Sequence, residues 1–322
     1  MSDITRRIVV LGKTGAGKSS LINTVLEDSA FKVNHSPESG TYECQAKTKC
    51  VNGKTTMWID TPGFFDTRRS EEEMKREIVR CITECAPGPH AFLIVLKVER
   101  YTEQEKAVIT KLLQYFSEEA VKYTIVIFTH GDQLPEEMTI REFVNKSKEL
   151  SDLLKNCQNR CHVIDNKYWK GNQQDQYRSN QYQVTELLNT IDKTIEANDG
   201  GYYTTEMLQS VNTEIQHEKQ HIRQSSGDGN TQGAKTIVFR KQLIKVAEVT
   251  TEALLRALLG GAMHLMTEQV ITDPVVIGVA AIGTAVGIAA AAGAAKRATE
   301  EAPAPSGTTG ASAERAPEEH QG

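Results

Sequence analysis

Short, unbroken apolar runs punctuate the first half of the chain at Ile8–Leu11, Met57–Asp60, Ala91–Val98, Tyr123–Thr129 and Cys161–Ile164. The three middle runs are rich in β-branched or aromatic residues. Runs without polar alternation predict strands buried on both faces, the habit of a largely parallel sheet. Glu43–Val51 mixes polar and apolar positions and reads as an edge strand. Between the runs, Ser70-Glu71-Glu72-Glu73 and Thr102-Glu103-Gln104-Glu105 carry the hydroxyl and glutamate of a capping box. Helices are expected from there to about Cys85 and Phe116. Strands alternating with helices predict an α/β fold, a mostly parallel sheet flanked by helices.

From about Gln183 the pattern turns wholly helical, with Val184–Ala197 and Thr205–Arg223 parted by Asp199-Gly200-Gly201. Ser225–Gly233 reads as a polar linker. The expected organisation is an α/β domain over 5–200, a helical extension over 201–224 that packs on it, and a linker over 225–235. A helical apolar region follows over 236–296, then a tail over 297–322 too poor in apolar bulk to order.

Within that apolar region, Val275–Ala295 is uncharged, about 31 Å as a helix and long enough to span a bilayer. Nine alanines and four glycines weaken the transfer energy, so a buried Ala-rich helix competes with a membrane anchor. Gly283 and Gly287 make a small-x-x-x-small motif suited to close helix pairing. Lys296-Arg297 sits on the side that would have to cross, against the positive-inside tendency. Leu254–Met266, apolar apart from Arg256 and His264, is expected to lie along an interface or form one arm of a hairpin.

The length of 322 residues exceeds one core, in keeping with a domain plus an appendage. The net charge of -5 gives no basic face and argues against nucleic acid as partner. Two cysteine pairs, 81/85 and 157/161, have helical rather than zinc-knuckle spacing, so reduced thiols in a cytosolic setting are expected. Ser2 leaves no glycine for N-myristoylation.

The chemistry concentrates at Gly12-Lys13-Thr14-Gly15-Ala16-Gly17-Lys18-Ser19, a G-x-x-x-x-G-K-S run where the first strand feeds a helix opened by Lys18, Ser19 and Ser20. Glycines let successive N–H groups turn inward around a phosphate. Lys18 would reach the β- and γ-phosphates and the Ser19 hydroxyl would ligate Mg²⁺. About forty residues on, Asp60-Thr61-Pro62-Gly63 ends a strand. Its Asp60 would hold the Mg²⁺ through water, and its Gly63 N–H would approach the γ-phosphate. The polar segment between them offers Thr41 as the switch threonine for metal and γ-phosphate, with Thr48 the other candidate. These motifs predict a P-loop NTPase with a Ras-like G domain.

For the base, Phe128-Thr129-His130-Gly131-Asp132-Gln133-Leu134 ends a strong strand. Asp132 would accept from guanine N1–H and N2–H₂, and His130 would stack on the ring. Counting back from Leu134 places Gln133 in the carboxylate's register instead. Asp165-Asn166 offers a second contact, with Asn166 the group toward the base, or a plain turn.

Gly12–Ser19, Asp60–Gly63, Thr129–Asp132 and above all the box Phe92–Glu105 resemble the GTPases of immunity-associated proteins, relatives of the septins and the chloroplast import GTPases. Gly201-Tyr202-Tyr203-Thr204 resembles the segment that follows that family's core, so the likeness covers about residues 5–220. It implies a GTP/GDP and Mg²⁺ binder that dimerises across its nucleotide face, as a homodimer or with a family member, and forms scaffolds on an intracellular membrane. Phe64 stands where many hydrolytic GTPases carry a water-orienting glutamine, so slow intrinsic hydrolysis is expected. Arg100 is the candidate to reach a partner's phosphates, against simple pairing with Glu103. The alternatives are a hydrolytically inert scaffold or filament subunit and, with less support, a P-loop kinase or ATPase.

Overall fold

The computed structural model describes residues 5–33, 43–64, 69–99, 109–111, 113–169, 175–226 and 230–261. The chain divides into two compact units, Met1–Thr267 and Glu268–Gly322, and all described residues lie in the first. Thr41, Arg100, the part of the Phe92–Glu105 box from Arg100 onward and the candidate anchor 275–295 fall outside the described residues.

Among the described residues the sheet has six strands: β1 (Arg6–Gly12), β2 (Gln45–Val51), β3 (Lys54–Asp60), β4 (Ala91–Lys97), β5 (Thr124–Thr129) and β6 (Cys161–Val163). Their order is β2-β3-β1-β4-β5-β6, with β2 and β3 antiparallel and the other pairs parallel. β2 is the edge strand that its mixed pattern predicts. The β2–β3 turn is Asn52-Gly53, both at positive φ (50° and 74°), as a two-residue hairpin favours.

Alternate residues of each central strand serve opposite faces. Ile8 and Val10 pack with Leu21, Ile22 and Val25 of α1 (Lys18–Leu26) and Leu187 and Ile191 of α6 (Asn180–Glu196). Val9 and Leu11 join Ile78 and Ile82 of α2 (Glu71–Cys85) on the other face. Each fully buried aliphatic side chain contributes about 1.5–3 kcal/mol. Ser70 begins α2 with the expected reciprocal capping box to Glu73. Further short helices among the described residues include α3 (Glu118–Lys122), α4 (Ile140–Val144) and α5 (Lys148–Asn156).

Three more helices, α7 (Glu206–Ser226), α8 (Thr231–Lys245) and α9 (Thr251–Leu259), cover α2. Tyr203 anchors their start, donating its N–H to the Pro89 carbonyl at 2.9 Å. α8 begins inside the stretch read as linker, because the Asn230 side chain caps it by accepting from the Gly233 N–H at 2.9 Å. Lys235 of α8 then donates to Glu84 of α2 at 2.9 Å, with both side chains largely buried.

The expectation for Leu254–Met266 is corrected over its described part. Leu254, Leu255, Leu258 and Leu259 are buried in the same core as α2. The chain is held there by Ser117 N–H to Leu259 O at 2.9 Å and Gly261 N–H to Tyr115 O at 2.9 Å. An apolar helical stripe fits a core as readily as a membrane surface, and here the core takes it. No helix among the described residues is long and apolar enough to cross a membrane. All six cysteines are free thiols.

Candidate nucleotide-binding site

The site forms at the carboxyl ends of β1, β3, β5 and β6, where α/β sheets place their ligands. Gly12 ends β1 beside Val95 of β4, and a Cβ there would overlap the Val95 carbonyl. Ala16 N–H donates to Lys13 O at 3.1 Å and closes the loop. Gly15 and Gly17 adopt φ of 77° and 84°, a left-handed conformation that turns backbone N–H groups toward the loop interior at little steric cost. Gly17 is the N-cap of α1, so the loop also lies on the positive end of that helix.

Lys18 is 5 % exposed, and its ammonium donates to Gly12 O at 3.0 Å and Lys13 O at 3.1 Å, lying across the loop. The Ser19 hydroxyl donates to the Asp60 carboxylate. Asp60, 1 % exposed, closes β3 opposite Val10. Thr61 pins the next segment to β1 by donating to Val10 O at 2.7 Å. Gly63 lies against Thr14 so closely that a Cβ would overlap the threonine hydroxyl and N–H. Ser20 lines an open groove of about 1120 Å³ with Thr24, Asn166 and Trp169.

These groups fit a magnesium triphosphate. A hydroxyl and a carboxylate are hard oxygen donors at one point, as Mg²⁺ requires. Beside them, an N–H nest and one ammonium match phosphate charge. Phe64 is 6 % exposed in the core that holds Met74 and Ile78, so its side chain has no access to a water at the phosphates.

Thr129 ties the phosphate half to the base half. Its hydroxyl donates to Ala16 O at 2.7 Å and lies 3.1 Å from His130 Nδ1. His130 takes a left-handed φ of 59° and is exposed, leaving its ring face available for stacking. Asp132 is half-buried, and Gln133 is exposed with its amide donating to Asp132 Oδ2 at 2.6 Å. The chain thus presents the two residues left open by the sequence as a bonded pair.

Asp165 has a different task from base contact. Its carboxylate, 2 % exposed, accepts from the Lys167 N–H at 2.8 Å, from the Tyr168 N–H, and at 3.4 Å from the Asp132 N–H. Burial alone would raise its pKa, but the hydrogen bonds from Tyr168, Asp132 and Lys167 outweigh that and hold it below the ordinary aspartate value. Asn166 is the residue turned toward the phosphate loop, accepting from the Thr24 hydroxyl at 3.1 Å. Its amide nitrogen would be 3.1 Å from a Cβ on Gly17.

Trp169, which the motif reading passed over, is buried against Gly131, with the Arg178 guanidinium 5.9 Å from its ring. A Cβ on Gly131 would overlap that ring. The available signal was a lone tryptophan in the polar stretch after β6.

A glycine phosphate loop between the first strand and helix of a β2-β3-β1-β4-β5-β6 sheet, with an aspartate ending β3, defines a P-loop NTPase of the Ras-like G-domain class. The chain belongs to the AIG1 family, whose family model matches residues 6–223. It is 34 % identical over 232 residues to immune-associated nucleotide-binding protein 8 of Arabidopsis thaliana, covering 70 % of this chain and 64 % of that protein. It is 29 % identical over 197 residues to GTPase IMAP family member 8 of Homo sapiens, covering 61 % of this chain and 29 % of that protein. The chain therefore spans less than two thirds of the length of either relative. Among solved structures it is similar to Toc33 from Arabidopsis thaliana in complex with GDP and Mg²⁺, with a TM-score of 0.46 and 22 % identity, over 59 % of this chain and 84 % of that one.

Proposed function

We propose that the chain is a GTP/GDP-binding switch of the AIG1 family that takes its nucleotide with Mg²⁺, dimerises across the nucleotide face and hydrolyses GTP slowly. The observation that carries this reading is the convergence of Lys18, the Ser19–Asp60 pair and the Thr129–Asp132 turn on one loop. Bound Mg²⁺ would neutralise charge building on the phosphates. Lys18 holds the terminal phosphates, Ser19 and Asp60 hold the metal, and Gly63 offers a backbone N–H. Asp132 accepts from the guanine edge, His130 stacks on its ring, and Asn166 closes the side beside Gly17.

The burial of Phe64 supports slow turnover, since a buried phenyl ring has no group with which to orient water. The missing charge is supplied in trans, and Arg100 is the residue proposed for it. Thr41 is proposed as the switch threonine that orders around metal and γ-phosphate. The partner is a second copy or a family member, and residues 275–295 place the dimer on an intracellular membrane.

The same Phe64 burial also favours the second reading, an inert assembly module whose nucleotide is never turned over. Hydrolysis measured against protein concentration separates the two. The switch predicts turnover per molecule that rises with concentration and drops in Arg100→Ala. A flat, near-zero rate at every concentration supports the inert module.

A further inference from the structure

α7 carries a motif that the nucleotide site does not use, His217-Glu218-Lys219-Gln220-His221, with H-E-x-x-H spacing on one helix. Residues four apart share a helical face, so both imidazoles project together. Their ring centroids are 4.5 Å apart at an interplanar angle of 67°, and both residues are exposed. Two imidazoles at this separation can present nitrogens to one ion after small side-chain rotations. We propose that His217 and His221 form a two-imidazole chelate for a borderline transition-metal ion such as Zn²⁺ on the exposed face of α7.

The surroundings limit what such an ion does. In a zinc hydrolase with this motif the central glutamate acts as general base beside a metal held by three protein ligands. Here Glu218 is held by Lys241 of α8 at 2.5 Å. That bond is the main reason its carboxyl sits below the usual value. No group of three or more metal-ligating residues occurs among the described residues. The ion would therefore keep solvent in its other positions. Its role is that of a clip across one turn of α7, beside the Glu218–Lys241 and Glu214–Lys245 pairs that bind α7 to α8.

Imidazole nitrogen selects for Zn²⁺, Ni²⁺ and Cu²⁺ over the hard ions Mg²⁺ and Ca²⁺. The site is thus chemically distinct from the Ser19–Asp60 oxygen pair.

The test is titration of the full, reduced chain with zinc chloride in excess Mg²⁺, read by calorimetry. Cys50, the one exposed cysteine among the described residues, is changed to Ser throughout, to remove its thiol as a competing ligand. One Zn²⁺ per chain is expected to bind at this site. Loss of either imidazole turns a chelate into a single ligand, so His217→Ala and His221→Ala should each weaken that binding about a hundredfold. Zn²⁺ should also raise amide-exchange protection within 206–226 in the parent, and not in the double variant, which reports on the clip itself. Equal Zn²⁺ affinity in the parent and the double variant, or binding abolished by the excess Mg²⁺, would overturn the assignment. Both side chains are exposed, and circular dichroism of each variant verifies that α7 is retained.

Discussion

The Thr129 hydroxyl donates to the Ala16 carbonyl at 2.7 Å, joining the end of β5 to the phosphate loop. The bond ties the residues assigned to phosphate to those assigned to base. Thr129→Val keeps the shape and removes the donor, leaving a buried carbonyl unsatisfied. The expected cost is about 1–3 kcal/mol, read as weaker GDP binding and a lower urea midpoint.

Ser19→Ala removes the hydroxyl from the Ser19–Asp60 pair. GDP affinity should then lose most of its dependence on Mg²⁺. Affinities compared in Mg²⁺ and in EDTA check this, and an undiminished Mg²⁺ effect would remove Ser19 from the metal site.

Lys235 and Glu84 form an ion pair with side chains only 9 % and 14 % exposed. Removing one charge leaves the other buried and alone, so Lys235→Met should cost about 3 kcal/mol by urea unfolding. Adding Glu84→Gln should restore part of that loss. Additive losses in the double variant would show that the pair is not coupled.

Two histidines make the fold sensitive to mild acid. Burial, then the charges of Arg7 and Arg6, push His90 down to about 3, and burial, then Arg141, pushes His162 down to about 4. Each stays neutral in the fold while the unfolded chain takes up a proton near pH 6.5, so stability falls as pH drops below that value. The loss continues until the pH reaches the folded values near 4 and 3. Between pH 7 and 5 each histidine should cost roughly 2 kcal/mol. His90→Asn keeps an acceptor for the Arg7 N–H, which His90 Nδ1 accepts at 3.0 Å, and should flatten the profile. An unchanged slope in that variant would exclude His90 as a source.

The phosphate loop was legible because its glycines have a local reason to be there, the left-handed Gly15 and Gly17 and the blocked Cβ of Gly12. The apolar run marks β3 only from Met57, since Lys54-Thr55-Thr56 carry no apolar signal although they pair with β2. Asn52-Gly53 marked the true turn. Asp165-Asn166 reads from sequence as a second base contact or a plain turn, and only the fold could bring the N–H groups of Asp132, Lys167 and Tyr168 to the Asp165 carboxylate. Leu254–Leu259 failed for a different reason. Its apolar stripe specifies burial, and nothing local says against what.

Competition binding with GTP and ATP in Mg²⁺ tests the central claim most directly, using the full chain and Asp132→Ala. The account predicts strong preference for GTP in the parent chain. It predicts that Asp132→Ala loses most of that preference, with much less effect on ATP. Equal affinity for the two nucleotides in the parent would contradict it.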